Sequence, residues 1–314
     1  MKKQIIVIVG PTAVGKTEYA IRIARAINGE IISADSMQIY KYMDIGSAKP
    51  TKEELAIVKH HLVDEVDPKT PWSVAEYQKL ARFYIKDILS RSKLPIISGG
   101  TGLYVNSLLY DMDFSVIPRQ NDLRNQLEQE ASVYGNDSIH QRLQQLDPET
   151  AKRIHPNNLK KVIRAIEVCK AGGEGIPEFS QSFKKVQEYD WILIGLNRER
   201  EILYERINQR VDILIKSGLI EEVKNLLSIG LSEDNISMKG IGYKEIIGYL
   251  EGKYDREEAI RLIKRNTRRY AKRQITWFKR YPEIKWFNLS EYTTSEDATA
   301  TILSYLNNQL MKEK

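Results

Sequence analysis

The stretch "IVGPTAVGKT", residues 8–17, decides the fold of this 314-residue chain. Its last eight residues match the pattern G-x-x-x-x-G-K-[ST], in which backbone N–H groups and a lysine hold phosphate groups. The apolar run Gln4–Val9 predicts a buried strand before the loop, and the residues up to Ile27 have helical spacing after it. Strand, glycine loop and helix in this order are the context that a phosphate loop (P-loop) requires.

Each part of this loop has a chemical role. Gly10 and Gly15 let backbone N–H groups wrap an anion at the positive end of a helix. Lys16 adds a point charge, and the Thr17 hydroxyl can bind Mg²⁺. The alternative is an ordinary glycine turn. We predict a phosphate-binding site, with Thr17 as the metal ligand, at Gly10, Pro11, Thr12, Ala13, Val14, Gly15, Lys16 and Thr17.

Composition narrows the class of protein. Hydrophobic residues make up 42% and charged residues 29% of the chain, as in soluble globular proteins. The net charge of +6 is a mild indication of a polyanionic partner. A single cysteine, Cys169, excludes an internal disulfide and suits a reducing cytoplasm, and four histidines without paired cysteines disfavour a zinc site. No run approaches 18 apolar residues, so no membrane span is predicted.

Strand-like and helix-like segments alternate in the first third of the chain. Strands are predicted at Glu30–Ser33, His61–Val66 and Leu94–Ser98, and a helix at Ser73–Arg91 with Ser73 as its N-cap. This alternation predicts an α/β fold, with a mostly parallel sheet flanked by helices like that of P-loop NTPases.

The pattern becomes purely helical after residue 115 and returns to strands at Tyr189–Leu196 and Glu283–Leu289. A flexible Gly/Pro connector is predicted at Ala171–Glu178. We therefore predict an α/β core formed by residues 1–114 and 189–314, with an all-helical domain inserted at residues 115–188.

Two strand ends carry reactive side chains. Asp35 and Ser36 follow the second strand, where a carboxylate can bind Mg²⁺ or act as a general base; an N-cap is the equally acceptable alternative. "SGGTGLY" follows the strand at Leu94–Ser98 and offers the Thr101 hydroxyl, although a tight turn explains its glycines as well. That strand lacks the Asp with which a typical P-loop ATPase holds Mg²⁺.

The segment Arg261–Arg280 contains nine Lys and Arg residues and no acid. A solvated helix face normally mixes both signs, so nine unopposed cations favour contact with nucleic-acid phosphates. Trp277 can stack on a base, but it and Phe278 also suit a core position.

These motifs together resemble the bacterial tRNA dimethylallyltransferases, or isopentenyl-tRNA transferases, of the IPP transferase family. The resemblance covers essentially the whole chain, through "GPTAVGKT", "ISADSMQIYKYMDIGSAKP", "SGGTGLY", "RIHPNN", "RAIEV", "KGIGYKE" and "AKRQITWF". One departure is Val14, where many members have Ser; the backbone supplies the role of that position.

The resemblance implies an activity. Members transfer the dimethylallyl group of dimethylallyl diphosphate to N6 of adenosine 37, the tRNA nucleotide 3′ of the anticodon. Asp35 then corresponds to the general base, Thr101 and Lys16 to further catalytic residues, and Arg210 to an added diphosphate clamp. The P-loop and Mg²⁺ stabilise the leaving diphosphate. ATP can bind weakly at such a loop, because its backbone contacts recognise any diphosphate ester.

The resemblance also implies the tRNA-binding residues. The anticodon stem-loop is the expected partner, and we expect a cytoplasmic monomer whose inserted domain closes on that stem-loop. The corresponding positions are Asp35, Ser36, Met37, Gln38, Thr101, Arg124, Lys160, Lys161, Arg164, Lys239, Gly240, Gly242, Tyr243, Lys244, Lys272, Arg273, Gln274, Trp277 and Lys279.

Two other functions share parts of this pattern. A P-loop kinase of small molecules would have the same fold and strand-end Asp, but it needs no helix with nine cations. A non-catalytic RNA-binding protein switched by ATP would explain that helix, but not Asp35 and Thr101 at adjacent strand ends.

Replacing Arg268, Lys272 and Arg273 together with Gln is expected to weaken tRNA binding and to flatten its salt dependence. The slope of log K against log salt should decrease by up to about one for each lost phosphate contact, because fewer counterions are released. Binding titrations at several salt concentrations measure this slope. An unchanged slope would assign the segment to a solvated face.

Overall fold

The computed structural model describes residues 3–112, 120–172 and 184–312. The chain divides into two compact units, one formed by Met1–Leu109 with Val186–Lys314 and the other by Tyr110–Lys185. The predicted boundary at residues 114–115 and most of the predicted connector Ala171–Glu178 lie outside the described residues. The inserted tRNA-binding domain stays a prediction.

A six-stranded sheet forms the centre of the first unit, in the order β3-β2-β4-β1-β5-β6. All of its described strand pairs are parallel, and helices flank it. The predicted P-loop NTPase-like α/β fold is therefore confirmed. The strands are β1 (Lys3–Val9), β2 (Gly29–Ala34), β3 (His60–His61), β4 (Leu94–Gly99), β5 (Tyr189–Asn197) and β6 (Lys285–Asn288).

The central strand β1 supplies the middle of the core. Its residues Ile5–Val9 have no exposed surface. An uninterrupted apolar run of this kind is what a parallel strand covered on both faces requires. Tyr19 and Ile23 pack against the sheet from the helix that follows the phosphate loop.

The prediction of a strand at His61–Val66 is wrong beyond His61. Leu62 and Asp64 have positive φ angles of 61° and 60°, a left-handed conformation that no regular strand contains. The chain turns there instead, and the Asp64 N–H donates to the Gln38 carbonyl at 2.9 Å. An apolar pattern alone does not reveal such a turn.

Four helices precede the second unit in the chain. In α3 the Ser73 hydroxyl accepts the Glu76 N–H, and the Glu76 carboxylate accepts the Ser73 N–H, so the predicted N-cap is present as a full capping box. The helices are α1 (Lys16–Ala26), α2 (Lys52–Ile57), α3 (Val74–Ser90) and α4 (Gly102–Leu109).

The described part of the second unit is helical. Leu127, Leu143 and Ile166 belong to an apolar cluster of its own. The helices are α5 (Asn121–Tyr134), α6 (Asn136–Leu146), α7 (Pro148–Arg153) and α8 (Leu159–Lys170).

The first unit continues after the second with further helices. The longest of them, α12, contains the predicted nucleic-acid-binding segment. The helices are α9 (Arg200–Lys216), α10 (Leu219–Ser228), α11 (Tyr243–Leu250), α12 (Arg256–Phe278) and α13 (Ser295–Lys312).

A buried carboxylate ties three strands together at the amino end of the sheet. Glu30 in β2 has a side chain that is only 2% exposed. It accepts hydrogen bonds from Arg91, from Lys93 at 2.9 Å and from His61 at 2.9 Å. The Arg91 guanidinium is the main cause that holds the pKa of Glu30 well below its usual range.

Replacing Glu30 with Ala is expected to lower the free energy of unfolding by about 3 kcal/mol, because Arg91 and Lys93 lose their buried counter-charge. The folded-state pKa lies below the unfolded one, so this contribution is present above about pH 4.3 and is lost as the pH falls further. Urea unfolding followed by circular dichroism measures both effects. The control Asp87→Ala removes only the exposed partner of Arg91 and should cost less than about 0.5 kcal/mol.

Candidate functional site

Three neighbouring strands bring the predicted chemical residues to one edge of the sheet. In β1 Val9 is in register with Gly99 of β4, and Gly99 is also in register with Ala34 of β2. The phosphate loop, Asp35 and the Gly100–Thr101 turn directly follow these three positions. Ligands of open parallel sheets bind at this carboxyl edge.

The phosphate loop has the backbone of an anion site. Ala13 and Gly15 have left-handed φ angles of 64° and 114°, and Gly15 is the N-cap of α1. Alternation of this kind turns successive N–H groups toward one point. The Lys16 ammonium donates to the carbonyls of Gly10 and Pro11 at 3.0 and 2.9 Å, which holds its charge at the loop.

Lys16 is a cation that titrates near neutral pH. Burial lowers the pKa of its ammonium from 10.5 to about 8; the negative charge of Asp35 opposes this shift, and the positive charge of Arg210 adds to it. An anion at the loop would favour the charged form. Such an anion and the lysine charge would then stabilise each other.

Asp35 is anchored through one carboxylate oxygen. Its Oδ1 accepts the N–H groups of Met37 and Gln38 at 2.8 and 3.4 Å. Among the described residues none bonds to Oδ2. The structure therefore shows the capping role that the sequence allowed, because Oδ1 caps the following turn, and it is compatible with the other role, because Oδ2 has no such bond.

Thr101 bonds to the backbone on both sides of Asp35. Its hydroxyl accepts the Ser36 N–H at 3.1 Å, and its own N–H donates to the Ala34 carbonyl at 3.0 Å. The residues before and after Asp35 are thus both bonded to Thr101. This makes Thr101 part of the support of the carboxylate.

Three arginines surround the phosphate loop, and only one of them was predicted. Arg210 of α9 borders the loop and lies close enough to Asp35 for the two charges to interact. Burial lowers the pKa of Arg210, and Arg206 lowers it further. Arg206 and Arg198 donate to the loop carbonyls of Ala13 and Val14, both at 3.0 Å. Sequence reasoning missed Arg198 and Arg206, although Arg206 lies one helical turn from Arg210.

Two cavities meet at this edge. The larger, of about 680 Å³, is bordered by the phosphate loop, Lys16 and Thr17. The smaller, of about 370 Å³, is lined by apolar side chains and by a similar number of polar or charged ones. Asp35 and Arg210 border both cavities. The carboxylate therefore stands where a molecule in one cavity would meet a molecule in the other.

Several predicted tRNA-binding residues lie around the smaller cavity. Gln38 lines the larger cavity instead, where it bonds to Ser33 and to the Ala48 carbonyl. The predicted tRNA-binding residues that line the smaller cavity are Asp35, Ser36, Met37, Lys239, Gly240, Gly242, Lys244 and Arg273.

Tyr243 is buried and belongs to a loop support that the sequence did not reveal. Its hydroxyl donates to Glu222 at 2.8 Å. The same carboxylate accepts three consecutive backbone N–H groups, those of residues 44–46, at 2.7–2.9 Å. Glu222 thus fixes the loop that forms a wall of both cavities.

Helix α12 differs in part from the prediction. The expectation of nine unopposed cations is wrong for Arg261 and Lys264, which pair with Glu258 and Asp212. Arg268 donates to Asn208 at 2.5 Å. Lys272, Arg273 and Lys279 are exposed, and Arg273 borders the smaller cavity.

Two side chains of α12, the indole of Trp277 and the amide of Gln274, pack inward. A Cβ on Gly102 would lie 2.2 Å from Nε1 of Trp277, so the indole rests directly on the start of α4. Gln274 is buried between the phosphate loop and Gly100. Neither position is an open surface.

The tRNA-binding residues that were predicted in the second unit are of two kinds. Arg124 and Arg164 both bind the fully buried Glu167, at 2.5 and 3.2 Å. Lys160 and Lys161 are exposed on α8. The lysines are exposed to solvent, whereas the two arginines share one buried carboxylate.

A comparison with known families decides the assignment. The family model for IPP transferase matches residues 38–281. The chain belongs to the IPP transferase family. The tRNA dimethylallyltransferase of Alkaliphilus oremlandii is 58% identical over 303 residues, which are 96% of this chain and 97% of that relative. The predicted family and the predicted enzyme class, a tRNA dimethylallyltransferase, are confirmed.

Solved structures agree with this assignment. A crystal structure of the tRNA isopentenylpyrophosphate transferase from Bacillus halodurans is 43% identical with a TM-score of 0.75, over 99% of this chain and 98% of that one. A eukaryotic dimethylallyltransferase acting on tRNA is 29% identical with a TM-score of 0.82, over 98% of this chain and 80% of the other.

The described ranges of this IPP transferase contain no group of three or more His, Cys, Asp and Glu side chains able to hold a metal ion. A Mg²⁺ ion needs fewer protein ligands, since it binds through one or two oxygens together with substrate phosphates. The Thr17 hydroxyl and the Asp35 carboxylate border the same cavity and fit that requirement.

Within the described residues, every helix falls short of the length and apolarity that a membrane crossing requires.

The pKa of Lys16 predicts how anion binding by this IPP transferase depends on pH. Affinity for methyl diphosphate should fall about tenfold between pH 7 and pH 9, because a lysine with a pKa of about 8 is mostly neutral at pH 9. Calorimetric titrations measure the affinity; the probe itself is fully ionised there, since terminal phosphates titrate near pH 6. Lys16→Ala should bind weakly with no such pH dependence. Wild-type affinity that stays constant up to pH 9 would contradict the assignment of Lys16 as the cation that binds the diphosphate.

Proposed function

We propose that this IPP transferase transfers the dimethylallyl group of dimethylallyl diphosphate to N6 of adenosine 37 in tRNA, beside the anticodon, and releases diphosphate. The observation that carries the proposal is the position of Asp35 at the junction of the two cavities. One cavity offers the phosphate loop, and the other is bordered by eight of the residues that the family resemblance assigns to tRNA.

The diphosphate end is proposed to bind at the loop. Backbone N–H groups after Gly10, the Lys16 ammonium and the Arg210 guanidinium are the cations and donors that a diphosphate requires. Arg206 adds a further guanidinium beside them. Mg²⁺, held by Thr17, would supply additional charge neutralisation for the leaving diphosphate.

The transfer is a substitution at the allylic carbon. The N6 lone pair forms the new C–N bond while the C–O bond to diphosphate breaks, and that electron pair leaves on the diphosphate oxygen. Lys16 and Arg210 face the charge that develops there, which lowers the barrier because they need no reorientation. The proton of N6 goes to Oδ2 of Asp35.

The adenine is proposed to enter the smaller cavity. A base inside a stem-loop must leave its stack before its amino group can meet an enzyme carboxylate. Met37 and the apolar wall offer a surface for the flipped base, while Lys239, Lys244 and Arg273 offer cations for the neighbouring phosphates. The exposed Lys272, Lys279, Lys160 and Lys161 are suited to backbone contacts further along the RNA.

The direct experiment supplies labelled dimethylallyl diphosphate, Mg²⁺ and unmodified tRNA, and follows label into the RNA. Digestion to nucleosides should yield N6-(dimethylallyl)adenosine. ATP should neither be needed nor be hydrolysed at a comparable rate, since the loop contacts recognise any diphosphate ester while productive binding requires a small apolar group. ATP turnover comparable to prenyl transfer would contradict the proposal.

Replacing Asp35 with Asn is expected to lower kcat by about 10² or more while tRNA affinity stays nearly constant. Asn retains an oxygen for the Met37 N–H but has no basic oxygen for the N6 proton. Single-turnover rates and tRNA binding give the two numbers.

The exposed Asp67 provides a matched control. Its Oδ1 accepts the Lys69 N–H at 2.8 Å, the same bond that Asp35 makes to Met37, but it borders neither cavity. Asp67→Asn should therefore leave kcat unchanged. Near-normal turnover in Asp35→Asn would remove Asp35 from the proton transfer.

A further inference from the structure

One buried amide of α12 reaches into the site from the far end of the chain. Gln274 is 5% exposed. Its Oε1 accepts the N–H of Thr12 in the phosphate loop at 2.8 Å, and its Nε2 donates to the carbonyl of Gly100 at 2.9 Å. Both ends of the side chain are therefore bonded to backbone groups of the site.

The chemistry of the two partners fixes this side chain as an uncharged amide. The Thr12 N–H can only donate and the Gly100 carbonyl can only accept, so one group must present an acceptor and a donor side by side. The fit also requires glycine at position 100, because a Cβ there would lie 2.1 Å from Nε2. Gln274 and Gly100 are matched to each other.

The amide connects the two halves of the reaction site. Gly100 precedes Thr101, which bonds to both neighbours of Asp35, namely Ala34 and Ser36. Tyr270, one turn earlier in α12, is close enough to Thr101 and Gln274 for both to affect the pKa of its hydroxyl. A continuous chain of bonds thus runs from the phosphate loop through Gln274 to the turn that carries the carboxylate.

We propose that Gln274 is a positioning residue, not an RNA contact, and that it sets the spacing between the phosphate loop and Asp35. This inference rests on the proposed function, in which the loop holds the leaving group and Asp35 takes the proton. Such a reaction depends steeply on spacing, since a displacement of about 1 Å can lower the rate about 10²-fold.

The decisive variant is Gln274→Glu. When protonated, its carboxyl group still accepts from Thr12 and donates to Gly100; when ionised, it has no donor and faces the Gly100 carbonyl. Burial raises the pKa of a carboxyl group at this position, so its titration is expected between these two forms in the range of the assay. The ratio of variant to wild-type kcat should therefore be highest near pH 5.5 and fall at least tenfold by pH 8.5, while tRNA affinity changes less than twofold. Taking the ratio removes the pH dependence that the two proteins share.

Two further variants complete the design. Gln274→Met keeps the length but loses both hydrogen bonds, so kcat should fall about 10–100-fold at every pH. Gly100→Ala displaces the amide from the other side and should reproduce that loss, which keeps the proposal testable if Gln274→Glu does not fold. Gln187→Glu places the same charge change at an exposed residue outside both cavities, and its ratio should not vary with pH.

The possible results distinguish a positioning role of Gln274 from an RNA contact, and both from a failure of the proposed function. A tenfold loss of tRNA affinity with normal kcat would make Gln274 an RNA contact and overturn the proposal. So would a loss in Gln274→Glu that does not depend on pH. If the wild-type protein transfers no prenyl group, the proposed function fails. The pH-dependent weakening of methyl diphosphate binding by Gln274→Glu then still tests whether the amide positions the loop.

Discussion

The carbonyl groups of the phosphate loop are held from outside, and the rest of the site depends on this constraint. Lys16 binds the carbonyls of Gly10 and Pro11, and Arg206 and Arg198 bind those of Ala13 and Val14. A turn whose N–H groups converge on one point is unfavourable by itself, because like partial charges are brought together. Cations on the outer carbonyls stabilise that arrangement, and a bound anion stabilises it from within.

This solution concentrates positive charge. Burial lowers the pKa of Lys16, Arg198 and Arg210, and the neighbouring cations lower it further. Asp35 opposes this shift for Lys16 and Arg210. Under the proposed function, repulsion among the cations would be relieved when a diphosphate binds and would return when it leaves.

The sequence predicted the parts of this site that depend on local pattern. The loop, the strand ends at Asp35 and Thr101, and the parallel sheet follow from short motifs and from alternation along the chain. Arg198, Arg206 and Glu222 could not be found this way. The backbone groups that they bind lie 176 to 193 residues away, and the sequence around them does not show which groups they reach.

The number of Lys and Arg residues in α12 gave a wrong prediction of its unpaired charge for a related reason. Residue types do not tell whether a charge is already neutralised by a distant acid. Lys264 pairs with Asp212 from another helix, and Arg124 is held by the buried Glu167. The backbone after β3 shows that sequence patterns have the same limit there. Leu62 has a left-handed conformation, although the apolar pattern around it is one that any strand would share.

The hydrogen bond between Thr12 and Gln274 has a consequence for the synthesis of the protein. The two residues are 262 positions apart. At about 5–20 residues per second, the ribosome adds Gln274 roughly 10–50 s after Thr12. Throughout that interval the nascent chain carries the complete glycine motif, but its loop lacks the hydrogen bond to Gln274. Translation products that stop before α12 therefore contain the motif without the amide that joins it to Gly100.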